Sequence, residues 1–131
     1  MFRVRDIKNK KWVDNIILSP NGELYKIKKF LFMNKLVPVS YDEYVYHNCT
    51  YLYDKNGTLI YEGDYIEAEI SENEEDEISE NETVIGIVYF ATELSSYVIL
   101  SFDSERYYFI GDSVSDKIRV IGNVFEKPKE D

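Results

Sequence analysis

Residues 53–61 read Tyr-Asp-Lys-Asn-Gly-Thr-Leu-Ile-Tyr, and they carry a strong turn signal. Asn56-Gly57 is a dipeptide that tight β-hairpins favour, because its glycine adopts a left-handed backbone conformation that a β-carbon disfavours. Asp54 can cap such a turn by accepting hydrogen bonds from its amides. The sequence therefore predicts a hairpin that joins a strand at Tyr51–Tyr53 to a strand at Leu59–Tyr61.

The next three residues, Glu62-Gly63-Asp64, predict a bend that leads into a further strand. Gly63 permits the bend, and Asp64 can bind nearby backbone amides before apolar residues enter the core. From Tyr65 to Ile70 apolar and acidic residues alternate, which places the apolar ones on one face. This segment resembles the entry to the first strand of an SH3-like barrel.

Alternation and β-branched or aromatic runs continue toward the C-terminus and predict four more strands, at 83–90, 97–102, 106–110 and 118–125. The run Val84–Phe90 is typical of a strand that is buried on both faces. Gly122-Asn123 predicts a β-bulge in the last strand. The sequence thus predicts an all-β protein in which residues 62–125 form an SH3-like five-stranded small barrel.

The first 50 residues predict an N-terminal, hairpin-rich β extension of that barrel. Ser19-Pro-Asn-Gly22 repeats the hairpin signal, and Asp6–Lys11 is a further expected turn. Ser40-Tyr-Asp-Glu43 matches a capping box and predicts one or two helical turns before His47. A short helical turn is also expected at Asp112–Asp116. We expect one domain with four parts: extension 1–50, signature hairpin 51–61, barrel 62–125 and tail 126–131.

Composition limits the function classes that this chain can belong to. Its 131 residues are 44% hydrophobic and 15% aromatic, which is too apolar for a disordered chain. A single cysteine excludes a disulfide framework and suits a reducing compartment, and one Cys with one His cannot complete a closed zinc site. The longest apolar run is too short to span a membrane, and no signal peptide is visible. We expect no cofactor, no metal and no membrane partner.

The net charge of −10 is concentrated in one segment. Residues 67–82 contain nine acidic residues and no basic one, whereas residues 1–41 have a net charge of +6. We expect the acidic segment to be a solvated loop between two strands. Two alternatives are divalent-cation binding, for which the EF-hand spacing and its glycine are missing, and docking on a basic partner.

The basic N-terminal region has aromatic residues between its lysines, a pattern that nucleic-acid surfaces use. Alternation along a strand gives the same pattern when rings face the core and lysines face water, so both interpretations stand. The residues that would bind nucleic acid are Lys8, Lys10, Lys11, Trp12, Lys28 and Lys29.

Catalytic candidates are few. Glu62 and Asp64 could divide acid and base roles, but no nucleophile or second base accompanies them, so a turn-capping role is expected. His47 and Cys49 could form a dyad, although a lone cysteine is more often a buried apolar residue. Nucleotide-binding, serine-hydrolase and zinc-protease motifs are absent from the sequence. We therefore expect no enzyme activity and no small-molecule site.

Three blocks of the sequence resemble the YopX-like family of temperate-phage and prophage proteins. The central block, Tyr53 to Asp64, is similar to the family pattern D-K-N-G-x-x-I-Y-E-G-D. The start, Phe2 to Trp12, and the end, Val120 to Pro128, are similar to the family's terminal patterns. Three residues before this quoted pattern, Tyr51 stands where the family usually has glycine. The residues that match the motif and occupy turns are Asp54, Asn56, Gly57, Tyr61, Glu62, Gly63, Asp64, Gly122 and Asn123.

The resemblance implies an all-β fold with an SH3-like part, a phage-genome origin and hence the cytoplasm of a bacterial host, and it implies no established activity. We expect a non-catalytic accessory module that binds another protein (host, phage or a second copy) through strand edges and surface tyrosines. The alternatives are nucleic-acid binding by the N-terminal region and, third, a carboxylate-dependent activity at Glu62 and Asp64. Seven tyrosines are candidates for the surface, and the alternative is that they cover the sheet faces of the extension: Tyr41, Tyr44, Tyr46, Tyr51, Tyr53, Tyr107 and Tyr108.

Overall fold

The computed structural model describes residues 1–30, 33–70, 82–104, 106–110 and 117–126, with only the backbone of Phe30. In these ranges the chain is almost entirely β-structure, arranged in curled antiparallel sheets, which confirms the all-β prediction. The chain divides into two compact units, Met1–Asn48 and Cys49–Asp131.

In its described residues, the first unit contains five complete strands and the start of a sixth. They are β1 (Phe2–Asp6), β2 (Lys11–Val13), β3 (Ile16–Leu18), β4 (Leu24–Phe30), β5 (Met33–Pro38) and β6 (Tyr44–Tyr53), the last of which continues into the second unit. β1 lies between β2 and β6, and β4 lies between β3 and β5. Val4, Ile16, Leu24 and Tyr44 form the buried core of this unit.

The second unit is built on a five-stranded antiparallel sheet with the order β11-β10-β9-β8-β12. Its strands are β7 (Leu59–Tyr61), β8 (Asp64–Ile70), β9 (Glu82–Ala91), β10 (Ser96–Ser101), β11 (Tyr107–Phe109) and β12 (Ile118–Asn123), with β7 paired to the end of β6. One face of the sheet packs into a core made of Ile60, Ile66, Ala68, Val88, Ile99 and Ile118. The five strands of this sheet begin and end within about two residues of their predicted bounds. That residues 62–125 form an SH3-like barrel stays a prediction.

The turns of both units form where the sequence predicts them. Gly22 and Gly57 have φ angles of +84° and +81°, so both take the left-handed conformation that a tight hairpin needs. The Asp6 carboxylate accepts hydrogen bonds from the backbone and side-chain amides of Asn9 in the turn between β1 and β2. Local turn chemistry therefore sets these three hairpins.

Two predictions about local structure are wrong, and one candidate surface tyrosine is buried. Residues 41–43 form a single turn, closed by the amides of Glu43 and Tyr44 on the Ser40 carbonyl, and no helix follows. The reason is that the next residues are β-branched and aromatic and pair with β1. β9 is buried on one face only, since Ile85 and Tyr89 are exposed. Tyr44 is buried in the first core rather than at the surface.

Two further predictions fall outside the described residues. They are the helical turn expected at 112–116 and most of the acidic segment, of which only residues 67–70 and 82 are described, as the paired ends of β8 and β9. Within the described ranges no helix is both long and apolar enough to cross a membrane.

Candidate functional site

The signature hairpin is organised around the Asp54 carboxylate. Its Oδ1 accepts hydrogen bonds from the amides of Asn56 and Thr58 at 2.9 and 2.8 Å, inside the turn. Its Oδ2 accepts one from the amide of Val120 on β12 at 2.9 Å. With 6% of its surface exposed, Asp54 joins the hairpin to a strand far along the chain. Its role is structural.

Glu62-Gly63-Asp64 forms the second bend. Gly63 has a φ of +83°, and its amide donates to the Val88 carbonyl of β9. The Asp64 Oδ2 accepts a hydrogen bond from the Tyr61 amide at 2.8 Å, and Asp64 is only 2% exposed. A carboxylate that is buried and bound to backbone is poorly placed to transfer protons to a substrate.

Glu62 lies close enough to Tyr97 for its charge to act on the tyrosine. Burial, and after it the negative charge of Glu62, raise the pKa of Tyr97. Tyr97 therefore keeps its proton at neutral pH and packs against the core of the second unit. In the described contacts, Asp64 binds the backbone of the bend and Glu62 acts on Tyr97.

A bulge precedes the signature hairpin at the position where the sequence departs from the family pattern. Tyr51 has a φ of +62°, and the pairing register between β6 and β7 shifts between Cys49 and Tyr53. Thr50 Oγ1 holds the bulge by donating to the Ile60 carbonyl at 2.8 Å and accepting from the Leu52 amide. A tyrosine thus occupies a backbone conformation that suits glycine.

Gly122 and Asn123 lie at the end of β12. The register of β12 against β8 shifts between Val120 and Gly122, which is a β-bulge. The Asn123 Oδ1 accepts hydrogen bonds from the amides of Phe125 and Glu126, so that it caps the turn that follows. These two residues shape the backbone.

Trp12 is surrounded by cationic and aromatic side chains of the first unit. The Arg3 guanidinium carbon lies 4.3 Å from the centre of the indole ring and that of Arg5 lies 5.2 Å away, which are cation–π distances. The His47 ring centre is 6.3 Å from that of Trp12. Burial, and after it the charge of Arg3, lower the pKa of His47 to about 4. Its imidazole is therefore neutral at pH 7.

The predicted nucleic-acid residues do not form one cluster along the strands. Lys8, Lys10 and Lys11 are exposed in and beside the turn between β1 and β2, whereas Lys28 and Lys29 are exposed on β4. Trp12 contacts Arg3 and Arg5, as described above. The structure thus places the six residues on two separate hairpins of the first unit.

The sheet of the second unit has an apolar surface that the sequence analysis missed. We call this surface, on the side of the sheet opposite the core, the outer face; it consists of Ile85, Tyr89, Leu100, Tyr107 and Phe109. Register aligns four of them in two cross-strand rows, because Val98 pairs with both Tyr89 and Phe109, and Leu100 pairs with both Ile87 and Tyr107. Ile85 lies outside these rows and pairs with Glu67 of β8. Tyr107 and Phe109 are 51% and 57% exposed, and their ring centres are 5.8 Å apart.

A detectable signal for the outer face exists in the sequence. Both alternating sets of residues in the run 84–90 are apolar, a pattern that predicts burial on both faces. The same pattern fits one buried face and one face kept apolar for a partner. Gly86 was also missed: a β-carbon there would lie 2.3 Å from the Leu100 carbonyl oxygen.

Across the described ranges, no group of three or more His, Cys, Asp and Glu side chains is arranged to hold a metal ion. Cys49, with a free thiol, is buried and its sulfur accepts a hydrogen bond from the Tyr51 amide.

Comparison with known proteins identifies relatives by sequence pattern and by fold. A family model described as "YopX protein" matches residues 1–130. The crystal structure of protein yopX from Bacillus subtilis superposes with a TM-score of 0.58 at 17% identity, covering 95% of this chain and 91% of that one. Protein EF1440 from Enterococcus faecalis gives a TM-score of 0.48 at 19% identity, with 95% and 92% covered. No curated protein matches the sequence significantly.

Proposed function

The chain belongs to the YopX family, and from this premise we propose that it is a phage- or prophage-encoded accessory protein that works in the bacterial cytoplasm by binding another protein. The binding surface in this proposal is the outer face of the five-stranded sheet. The phage context follows the family resemblance of the three sequence blocks. The binding role rests on the exposure of the outer face.

The size of the outer face supports a binding role. A Tyr or Phe side chain carries roughly 150–250 Å² of surface, so three that are about half exposed present on the order of 300 Å². Leu100 and Ile85, which are 39% and 43% exposed, extend this area. The largest apolar patches on monomeric proteins measure about 300–600 Å² and are often functional. The outer face therefore reaches the size of the largest apolar patch on a typical monomeric protein, a kind of patch that is often functional.

The composition of the outer face also fits a protein partner. Tyrosine and phenylalanine are enriched in the cores of protein interfaces, where charged side chains are depleted. The two cross-strand rows contain no charged residue. β11, which supplies Tyr107 and Phe109, stands at one edge of the sheet order. An edge strand beside an apolar patch can also pair with an extended segment of a partner.

A matched pair of variants tests the proposal by affinity capture from a bacterial extract and by light scattering. Tyr107→Asp with Phe109→Asp places charges on the outer face, and Tyr53→Asp changes another tyrosine that is 58% exposed. We expect the native chain and Tyr53→Asp to retain the same partner, or to self-associate equally, and the double variant to lose it. Equal behaviour of all three proteins, each folded by circular dichroism, contradicts the proposal.

A further inference from the structure

The hairpin of β4 and β5 extends beyond the sheet that supports its base. β3 pairs with β4 only at Leu24, Tyr25 and Lys26, whereas the register of β4 with β5 continues from Ile27 paired with Leu36 to Phe30 paired with Met33. We call residues 27–30 and 33–36 the ribbon. Its exposed residues include Met33 and Leu36, at 74% and 52%. At about 3.3 Å per residue, the four pairs span roughly 13 Å.

The ribbon is strongly basic for its size. From Leu24 to Pro38 the chain has four lysines and no acidic residue. Lys28 on β4 pairs directly with Lys35 on β5, and both are exposed. Directly opposed like charges destabilise a strand pair, so the position opposes the hairpin's own stability. Repulsion of this kind favours side-chain conformations that keep the two ammonium groups apart.

We propose that the ribbon binds duplex DNA of the B form, lying in the major groove with Lys28 and Lys35 directed to the phosphates on its two sides. The major groove is about 12 Å wide and admits a two-stranded β-ribbon. Phosphates relieve the repulsion between Lys28 and Lys35, so the pair that costs stability in the free chain contributes to binding. No base-specific contact is needed, and sequence-independent binding is expected. The surface shares no residue with the outer face.

Salt dependence measures the number of phosphates contacted. Lys28 and Lys35, which share one face of the ribbon, predict a slope of about −1.8 in log K against log salt, which is an affinity loss of about 12-fold between 50 and 200 mM. Lys28→Gln with Lys35→Gln removes both phosphate contacts and should leave the affinity nearly independent of salt over this range. The control is Lys10→Gln with Lys11→Gln, which removes the same charge from another hairpin and keeps the native slope. Fluorescence anisotropy with a labelled 16-bp duplex provides the measurement.

Lys28→Glu separates loss of binding from loss of fold. It replaces a repulsive pair with an attractive one, so the thermal midpoint rises while DNA binding at 50 mM salt falls at least tenfold. A-form duplex RNA, whose major groove is too deep and narrow for the ribbon, binds more weakly than DNA. Four results would overturn the proposal: no native binding at 50 mM salt, equal losses in the two double variants, equal affinity for duplex RNA, or tighter binding of poly-glutamate than of DNA.

Discussion

One carboxylate, that of Asp54, fixes two elements that are 66 positions apart in the sequence. Its two oxygens accept hydrogen bonds from the backbone amides of Asn56, Thr58 and Val120. Removal of the carboxylate would leave each of these three amides without its hydrogen-bond acceptor. Hydrogen bonds to an ionised group contribute more than neutral ones, and a buried donor that loses its acceptor is costly. The residue that marks the family pattern is thus explained by folding and not by chemistry on a substrate.

Substitution of Asp54 gives a graded prediction. Asp54→Ala leaves all three amides without the carboxylate and should lower the free energy of unfolding by about 3 kcal/mol. Asp54→Asn retains one oxygen for the turn but presents an NH₂ group toward Val120, so about half of that loss is expected. Urea denaturation of the three proteins measures the order. Equal stability of the native and alanine proteins would remove Asp54 from this role.

Tyr51 gives a prediction of opposite sign. A left-handed conformation costs a non-glycine residue roughly 1–2 kcal/mol, while glycine loses about 0.5–1 kcal/mol through greater freedom in the unfolded chain. Tyr51→Gly should therefore be neutral or stabilising by about 0.5 kcal/mol. Tyr53→Gly, in the same strand at ordinary φ and similarly exposed, should destabilise by about 1 kcal/mol. The urea midpoint of Tyr51→Gly should therefore lie above that of Tyr53→Gly. A larger loss of stability for Tyr51→Gly than for Tyr53→Gly would contradict backbone strain at Tyr51.

His47 makes stability depend on pH. Its pKa is about 4 in the folded chain and 6.5 in the unfolded chain, so between these values the unfolded state binds more protons. The contribution is complete above pH 6.5 and is lost as the pH falls toward 4. Because the ring is only partly buried, we expect about 1 kcal/mol. Comparison of native and His47→Gln stability at pH 7 and pH 4.5 isolates this contribution, since carboxylate effects cancel; identical pH profiles would argue against it.

At the scale of elements, β9 depends on a glycine. Gly86 pairs with Ile66 on one side and Ser101 on the other, and a β-carbon there would meet the backbone of Leu100. Its φ is not in the left-handed region, so the requirement is steric.

Gly86→Ala should therefore destabilise the second unit by 3 kcal/mol or more, since backbone must move. Gly57→Ala is the matched control: nothing lies within 4 Å of its β-carbon, and the cost is the strain of its φ of +81°, about 1 kcal/mol. Thermal unfolding of both variants decides the order. A smaller loss of stability for Gly86→Ala than for Gly57→Ala would contradict this requirement, since β9 and β10 could then move apart with little loss of free energy.

The elements also show what sequence alone could predict. Hairpins at Asn21-Gly22 and Asn56-Gly57 were predictable, because their conformations are set by local residues. The helix predicted from the capping box at Ser40 does not form, because the residues that follow it pair with β1. The capping box reports only a local preference, whereas this pairing depends on residues far away in the chain. The outer face was missed for a related reason. Because the residues on both faces of β9 are apolar, the sequence does not predict which face packs against the core and which face is exposed.

At the scale of the whole molecule, charge and apolar surface are separated along the chain. Nine of its 25 acidic residues lie in 67–82, and the first 41 residues have a net charge of +6. The apolar outer face belongs to residues 85–109. Such a distribution suits a protein that contacts partners with distinct surfaces: an apolar one for a protein and, in our inference, a basic ribbon for DNA.

Site-specific photo-cross-linking in bacteria tests the outer face itself. A photoreactive phenylalanine analogue replaces Phe109 or Tyr107, both on the outer face, or Tyr53, which is equally exposed elsewhere. If the outer face binds a protein, positions 109 and 107 yield the same discrete cross-linked species on irradiation and position 53 does not. Absence of any product from positions 109 and 107, or equal products from all three, would contradict a binding role for this surface.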